Sequence, residues 1–164
     1  MGLKKIIIHW TGGSYIPNKT DKQHYHFLID SLGRLHLGDY KPEDNIDCTD
    51  GKYAAHTGGG NTSAIGIGLC GMYGFKNFKD PGKFPLTKVQ VEACFNLCAM
   101  LCKKYNIPPS NVMTHYEFGI SNPNTTSKGK IDIIYLPPYP SVSAEKIGDF
   151  IRQKVRWYLQ SAKN

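Results

Sequence analysis

The chain has no apolar run long enough to cross a membrane, and MGLKKIIIHW offers only three isoleucines before His9. A secretory leader needs about 7–15 apolar residues and a small-residue cleavage site. A myristoylation signal would need Ser or Thr where Ile6 stands. We therefore expect synthesis in the cytoplasm without a signal peptide. There is no GxxxxGK[ST] loop, which excludes that class of phosphate chemistry, and no GxSxG elbow for a hydrolase serine. HExxH is missing, since the glutamate of His115-Tyr116-Glu117 comes only two residues after the histidine. CxxC pairs are missing too, so thiolate zinc clusters are not indicated. Gly58-Gly59-Gly60 lacks the strand–helix context of a dinucleotide fingerprint. Repeats, low-complexity segments and linkers are absent.

Acidic residues are outnumbered: 13 Asp+Glu face 20 Lys+Arg, a net charge of +7. That balance favours polyanions, among them nucleic acid, anionic lipid and bacterial wall polymers, without choosing between them. The 164 residues, 40% hydrophobic, suit one domain with a proper core. Of the five cysteines, Cys94, Cys98 and Cys102 recur every fourth residue on one face of a helical pattern. Small, buried packing explains them better than a redox or metal site.

Strands and helices interleave, which makes the class α/β. KKIIIH (4–9) reads as a short buried strand, followed by a loop with one helical turn at its end. YHFLIDSLGRLHLG reads as a hairpin around Asp30–Gly33. Residues 39–63 form a long polar, Gly-rich loop of the kind that carries function. In AIGIGLCG (64–71) glycines alternate with apolar residues, as in a central strand that something approaches closely. The segment 86–105 is the clearest helix, opened by Thr87 and Gln90 as a capping box and stopped by Asn106-Ile107-Pro108-Pro109. Residues 111–115 read as a strand leading into a loop, and a last helix runs from Ser143 to about Leu159. The core occupies about 4–140 of a single domain spanning 1–164.

Of the six histidines, His9 and His115 end strands at turns, where α/β folds place their sites. Taken alone, such a histidine is more commonly a hydrogen-bonded structural residue. Asp132 adds a carboxylate soon after His115, and two imidazoles with one carboxylate make a common open zinc site. On residues alone, Lys130 and Asp132 also read as a solvated pair.

The ordered blocks IIIHWTGG, YHFLIDSLGRLHLG, AAHTGGGNTSAIGIGLCG, THYEFG and KGKID resemble the zinc-dependent N-acetylmuramoyl-L-alanine amidases of the phage-lysozyme and peptidoglycan-recognition type, over roughly residues 5–135. The resemblance implies a central mixed sheet flanked by helices, with a shallow zinc cleft. It implies His9, His115 and Asp132 as zinc ligands, Lys130 as the stabiliser of the oxyanion and Tyr25 as a hydrogen-bonding catalytic partner. His56 falls in a block that lines the cleft, as a substrate-side residue, a partner of a ligand or a packed structural residue. His26 and His36 read as structural. The family often has Pro-Gly after its last aspartate where this chain has Ile133-Ile134, and one helix between His9 and Tyr25 is reduced.

The implied function is hydrolysis of the amide between N-acetylmuramic acid and L-alanine in peptidoglycan, with Zn2+ as cofactor and muropeptide as substrate. A phage or prophage endolysin, acting as a monomer on the wall after release or delivery, fits a chain without an evident wall-binding module. The alternative is a non-catalytic peptidoglycan-recognition module. Such modules lose their zinc ligands, and all three candidates are present here. A nucleic-acid binder would need a Lys/Arg-dense face with interleaved aromatics, which only the last helix approaches. In that helix Ser143 is placed to cap. Ile147, Phe150, Ile151, Val155, Tyr158 and Leu159 form an apolar stripe, and Lys146, Arg152, Lys154, Arg156 and Lys163 lie elsewhere. The stripe docks on the sheet. The basic side is either solvated or makes weak contact with anionic surfaces, and reversing Arg152, Lys154 and Arg156 is expected to leave the melting temperature unchanged.

Overall fold

The computed structural model describes residues 2–162. In chain order the elements are β1 (Lys5–Trp10), α1 (Lys19–His24), β2 (Phe27–Ile29), β3 (Leu35–Leu37), β4 (Ala64–Leu69), α2 (Lys88–Tyr105), β5 (Val112–Thr114), α3 (His115–Ser121) and α4 (Ala144–Ser161), with 3-10 turns at Pro42–Asn45 and Pro109–Asn111. The five strands form one mixed sheet in the order β3-β2-β4-β1-β5. Only the β2–β3 hairpin pairs antiparallel; β2–β4, β4–β1 and β1–β5 are parallel.

Alternation along the two central strands separates the faces of the sheet. Ile6, Ile8 and Trp10 of β1 and Ile65, Ile67 and Leu69 of β4 enter one core with Val91, Phe95 and Cys98 of α2 and Ile147, Ile151 and Val155 of α4. Each large aliphatic side chain buried there contributes about 1.5–3 kcal/mol. The other face carries Ile7 and Ala64, which pack on Phe118 of α3, and then His9 beside Gly68. One apolar face thus anchors the helices, and the opposite face, small-residued toward the C-terminal strand ends, is left for chemistry. Slipping β1 by one residue would bury His9 in the aliphatic core and expose Ile8 to the cleft, so burial itself fixes the register.

Helix α2 has the capping box expected of Thr87 and Gln90, and Asn106 closes it in the left-handed conformation, φ 55°. Cys94, Cys98 and Cys102 are buried free thiols on its inward side. Three expectations need correction. The chain beyond Thr114 is helix α3, not a loop, so His115 opens a helix. Ser143 occupies the N-cap of α4, but its side chain makes no capping bond. The basic side of α4 is not a free surface. Arg152 donates to both carboxylate oxygens of Glu117, at 3.0 and 2.9 Å, and to the Val112 carbonyl. Lys154 donates to Glu92 at 3.1 Å and lies over the Tyr139 ring. Reversing these two charges would break packing as well as charge, so the expectation of an unchanged melting temperature does not hold for them. Lys163 lies outside the described residues.

Candidate metal centre and its cleft

Each cleft residue is placed by a local device. His9 rides on β1, which lies between β4 and β5; β5 pairs with Ile6–Ile8, and His9 itself pairs with Gly68 of β4 just past the end of β5. His115 is the first residue of α3, whose capping box runs from the Thr114 hydroxyl to the Glu117 amide and from the Glu117 carboxylate back to the Thr114 amide, both at 3.1 Å. Arg152 grips that same Glu117, so α4 holds the helix that presents His115. Asp132 lies in a turn followed by Ile133 at φ 69°, a left-handed conformation that a β-branched residue rarely adopts. Ile133 is fully buried in the main core. This is how the chain turns at Ile133-Ile134, where the resemblance would have Pro-Gly.

The three side chains converge. His9 Nδ1 lies 2.8 Å from Asp132 Oδ2 and 3.1 Å from His115 Nδ1, and His115 Nδ1 lies 3.0 Å from Asp132 Oδ2. Among the described residues these form a group able to hold a metal ion. Two imidazoles and a carboxylate are a zinc-type donor set, and zinc–ligand bonds of about 2.0–2.1 Å set tetrahedral ligand spacings near 3.3 Å. The observed triangle is slightly tighter than that face, and its atoms point at one another with no polar side chain between them. The residues fit the metal that the resemblance implies.

The electrostatics agree. Burial opposes ionisation of Asp132, but the two imidazoles outweigh it and hold the carboxyl far below the usual carboxylate range. Burial also pushes the His9 pKa down, with Asp132 acting in the opposite sense. His56 is driven well below the ordinary histidine value, first by burial and then by the neighbouring imidazoles. Both rings favour the neutral form that binds metal.

Around the triangle opens a cleft of about 500 Å³, lined among others by Trp10, Tyr25, His56, Lys130 and Ile131. Lys130 is exposed at the rim. Tyr25 caps the end of α1 and its ring centroid lies 5.2 Å from that of His9. Burial, and then the charge of Asp132, raise the Tyr25 pKa, so the phenol keeps its proton and remains a donor. The alternating glycines of β4 lie under two of the lining rings. A methyl group on Gly66 would stand 2.4 Å from the His56 ring, and one on Gly68 would stand 2.9 Å from the Tyr25 ring. These rings are what approaches the strand.

His56 is buried beside the triangle, its Nδ1 3.2 Å from His9 Nε2. His26 and His36 bond within the fold, His26 to Asn45 and the Gly66 amide and His36 to Asp30. Several supporting residues escaped sequence reasoning. Asn61 accepts the amides of His56 and Thr57 and so shapes the long loop. Asn45, fully buried, ties that loop to itself and to His26. Ser127, also fully buried, meets His115 Nε2 at 3.0 Å. Asn and Ser in a Gly-rich loop carry no spacing signal that separates a buried tie from an ordinary turn residue. For α3 a signal did exist, in Thr114-His115-Tyr116-Glu117.

A family model described as N-acetylmuramoyl-L-alanine amidase matches residues 2–130. The chain belongs to that family. The match stops at Lys130, so the place of Asp132 in the triangle rests on geometry. No curated protein matches the chain significantly. Among solved structures it is similar to the amidase AmiD of E. coli in complex with the substrate anhydro-N-acetylmuramic acid-L-Ala-D-gamma-Glu-L-Lys, at 21% identity and TM-score 0.59, covering 93% of this chain and 57% of that one. The chain thus spans little more than half of AmiD. It is also similar to the PlyG catalytic domain, at 21% identity and TM-score 0.57, covering 97% of this chain and 84% of that one. A third likeness is the endolysin amidase LysCS of Clostridium intestinale, at 20% identity and TM-score 0.50, covering 71% of each chain. At such identities these likenesses establish a shared fold, the mixed sheet flanked by helices.

Proposed function

We propose that this chain hydrolyses the amide between N-acetylmuramic acid and L-alanine in peptidoglycan, with a zinc ion held by His9, His115 and Asp132. The observation that carries the reading is the convergence of two imidazole nitrogens and one carboxylate oxygen within 2.8–3.1 Å at the floor of an open cleft. Family membership points to the bond, and AmiD, which shares the fold, is described with a muropeptide substrate. Zinc in that position supplies Lewis acidity toward water and toward the amide carbonyl.

The chain's own groups do the rest. The Lys130 ammonium at the rim stabilises negative charge as it develops on the carbonyl oxygen. Tyr25, kept protonated by its surroundings, donates a hydrogen bond into the same space and orients the reacting amide. Asp132 stays ionised and offsets the charge of the cation. The recognition-module alternative is disfavoured, because a protein that only binds has no need of three converging ligand atoms.

LysCS, which shares the fold, is described as an endolysin amidase, in keeping with a phage or prophage endolysin; the same proposal has it made in the cytoplasm, delivered to the wall and working there as a monomer with no nucleic-acid partner. Digestion of purified peptidoglycan tests the bond. Mass analysis of the released material is expected to show peptides with free L-alanine N-termini and uncut glycan. New reducing sugar ends in place of free alanine amines would reject the amidase reading.

A further inference from the structure

A histidine can offer a bare nitrogen to a metal only when its proton sits on the other nitrogen, and something must hold it there. Behind His115 lies a chain with one consistent proton order. Ser127 Oγ is 2.7 Å from the Gly58 carbonyl and 3.0 Å from His115 Nε2. A carbonyl oxygen only accepts, so the single serine proton goes to Gly58. The serine lone pair then faces His115 Nε2, which must donate, so in the neutral ring the nitrogen free to take a metal is Nδ1, beside Asp132.

Behind His9 the same logic runs through a second carbonyl. His56 Nε2 faces the Ala64 carbonyl at 3.4 Å and donates to it. Neutral His56 therefore has a bare Nδ1, with the Thr57 hydroxyl at 2.7 Å and His9 Nε2 at 3.2 Å. Thr57 Oγ1 is itself 3.3 Å from His9 Nε2. Whichever of the two accepts, His9 donates from Nε2, and the nitrogen free to take a metal is again Nδ1.

We propose that Ser127, acting from the Gly58 carbonyl, and the Thr57–His56 pair, acting from the Ala64 carbonyl, are positioning residues that fix both histidines as Nε2–H tautomers, so that two bare nitrogens and a carboxylate face the metal. This rests on the zinc reading above. The backbone is built for it. A methyl on Gly58 would lie 1.8 Å from Thr126 Oγ1, and one on Gly119 would lie 2.2 Å from the Ser127 carbonyl. Two glycines thus let the chain close on both sides of the serine. The Ser127 carbonyl also accepts the Lys130 amide at 3.2 Å, so the same residue anchors the start of the segment that carries Lys130 and Asp132.

The test has two arms on the purified full chain. In the first, long-range 15N–1H correlation spectra of the histidine rings are recorded with zinc and after chelation. A proton on Nε2 of both His9 and His115 is expected in both states, any Nδ1 proton shared with Asp132 in the chelated chain being an additional one. Either ring bare at Nε2 as the main species in the chelated chain overturns the proposal. This arm needs no variant and reads out even if the chain takes no zinc, an outcome that would sink the proposed function and not the proton order. In the second, zinc affinity is measured by chelator competition for wild type, Ser127→Ala and Thr57→Val. Losses of about 10–100-fold are expected for each, with His115 in Ser127→Ala becoming a mixture of tautomers. Wild-type affinity and an unchanged His115 tautomer in Ser127→Ala would reject the relay even in a fully active zinc enzyme.

Discussion

At the scale of single residues, the site depends as much on what is missing as on what is present. Gly66 and Gly68 lack the methyl group that would strike the His56 and Tyr25 rings. Gly66→Ala is expected to cost about 1–3 kcal/mol through overpacking and to weaken zinc binding by displacing His56 from His9. Gly68→Ala should keep zinc and lose turnover by moving Tyr25. Urea melts, metal analysis and rate measurements on the two variants check this pair. Lys130→Ala should also keep zinc and lower turnover by roughly 10²–10³-fold, the usual loss for one oxyanion donor; loss of zinc from this variant would make Lys130 structural instead. The alternating glycines were legible in the sequence because a period of two in a strand has a steric meaning. The ligand triangle was not legible from spacing, since His9 is 106 residues from His115 and 123 from Asp132; only the resemblance of ordered blocks joined them. Ser127 was invisible by either route, because a loop serine acquires its role from one backbone carbonyl and two glycines brought to it by folding.

Elements hold these residues by specific ties, and two of those ties can be cut. The Arg152–Glu117 fork fastens α4 to α3, and Glu117 in turn closes the first turn of the helix that begins with His115. Arg152→Glu is expected to lower stability by about 2–4 kcal/mol and to reduce activity on soluble muropeptide as well as on intact walls, because His115 moves with its helix. A melt and a soluble-substrate assay decide it. Two residues 35 apart in the sequence carry no mark of pairing, which is why the basic side of α4 read as free. The second tie joins β2, β4 and the long loop. The Gly66 amide donates to His26 Nδ1, and His26 Nε2 donates to Asn45. Burial brings the His26 pKa down to about 4. The unfolded chain, with an ordinary histidine near 6.5, therefore binds a proton that the folded chain refuses. Stability from this group is complete above about 6.5 and is lost as pH falls from there to about 4. The urea midpoint should drop between pH 7 and pH 4.5, and His26→Gln should flatten that drop while lowering stability at pH 7.

On the scale of the whole molecule the surplus of positive charge remains, but the structure narrows where it is free. Arg152 and Lys154 are tied to Glu117 and Glu92, whereas Lys146 and Arg156 on the same helix are exposed. Reversing only Lys146 and Arg156 to Glu is expected to leave stability within about 0.5 kcal/mol and soluble turnover unchanged. Activity on intact walls should fall several-fold at low salt and recover as salt screens the attraction. Equal activity on both substrates would leave α4 as scaffold alone. The proposed chemistry needs one zinc ion, held by His9, His115 and Asp132, to cut the muramoyl–alanine amide. The direct measurement is a titration of chelated protein with zinc, following free L-alanine amines released from peptidoglycan. A zinc amidase predicts negligible rate without metal, a linear rise that breaks at about one zinc per chain, and no rise for His115→Ala or Asp132→Ala. Full activity in the metal-free protein, or an undiminished rise in either variant, would contradict it.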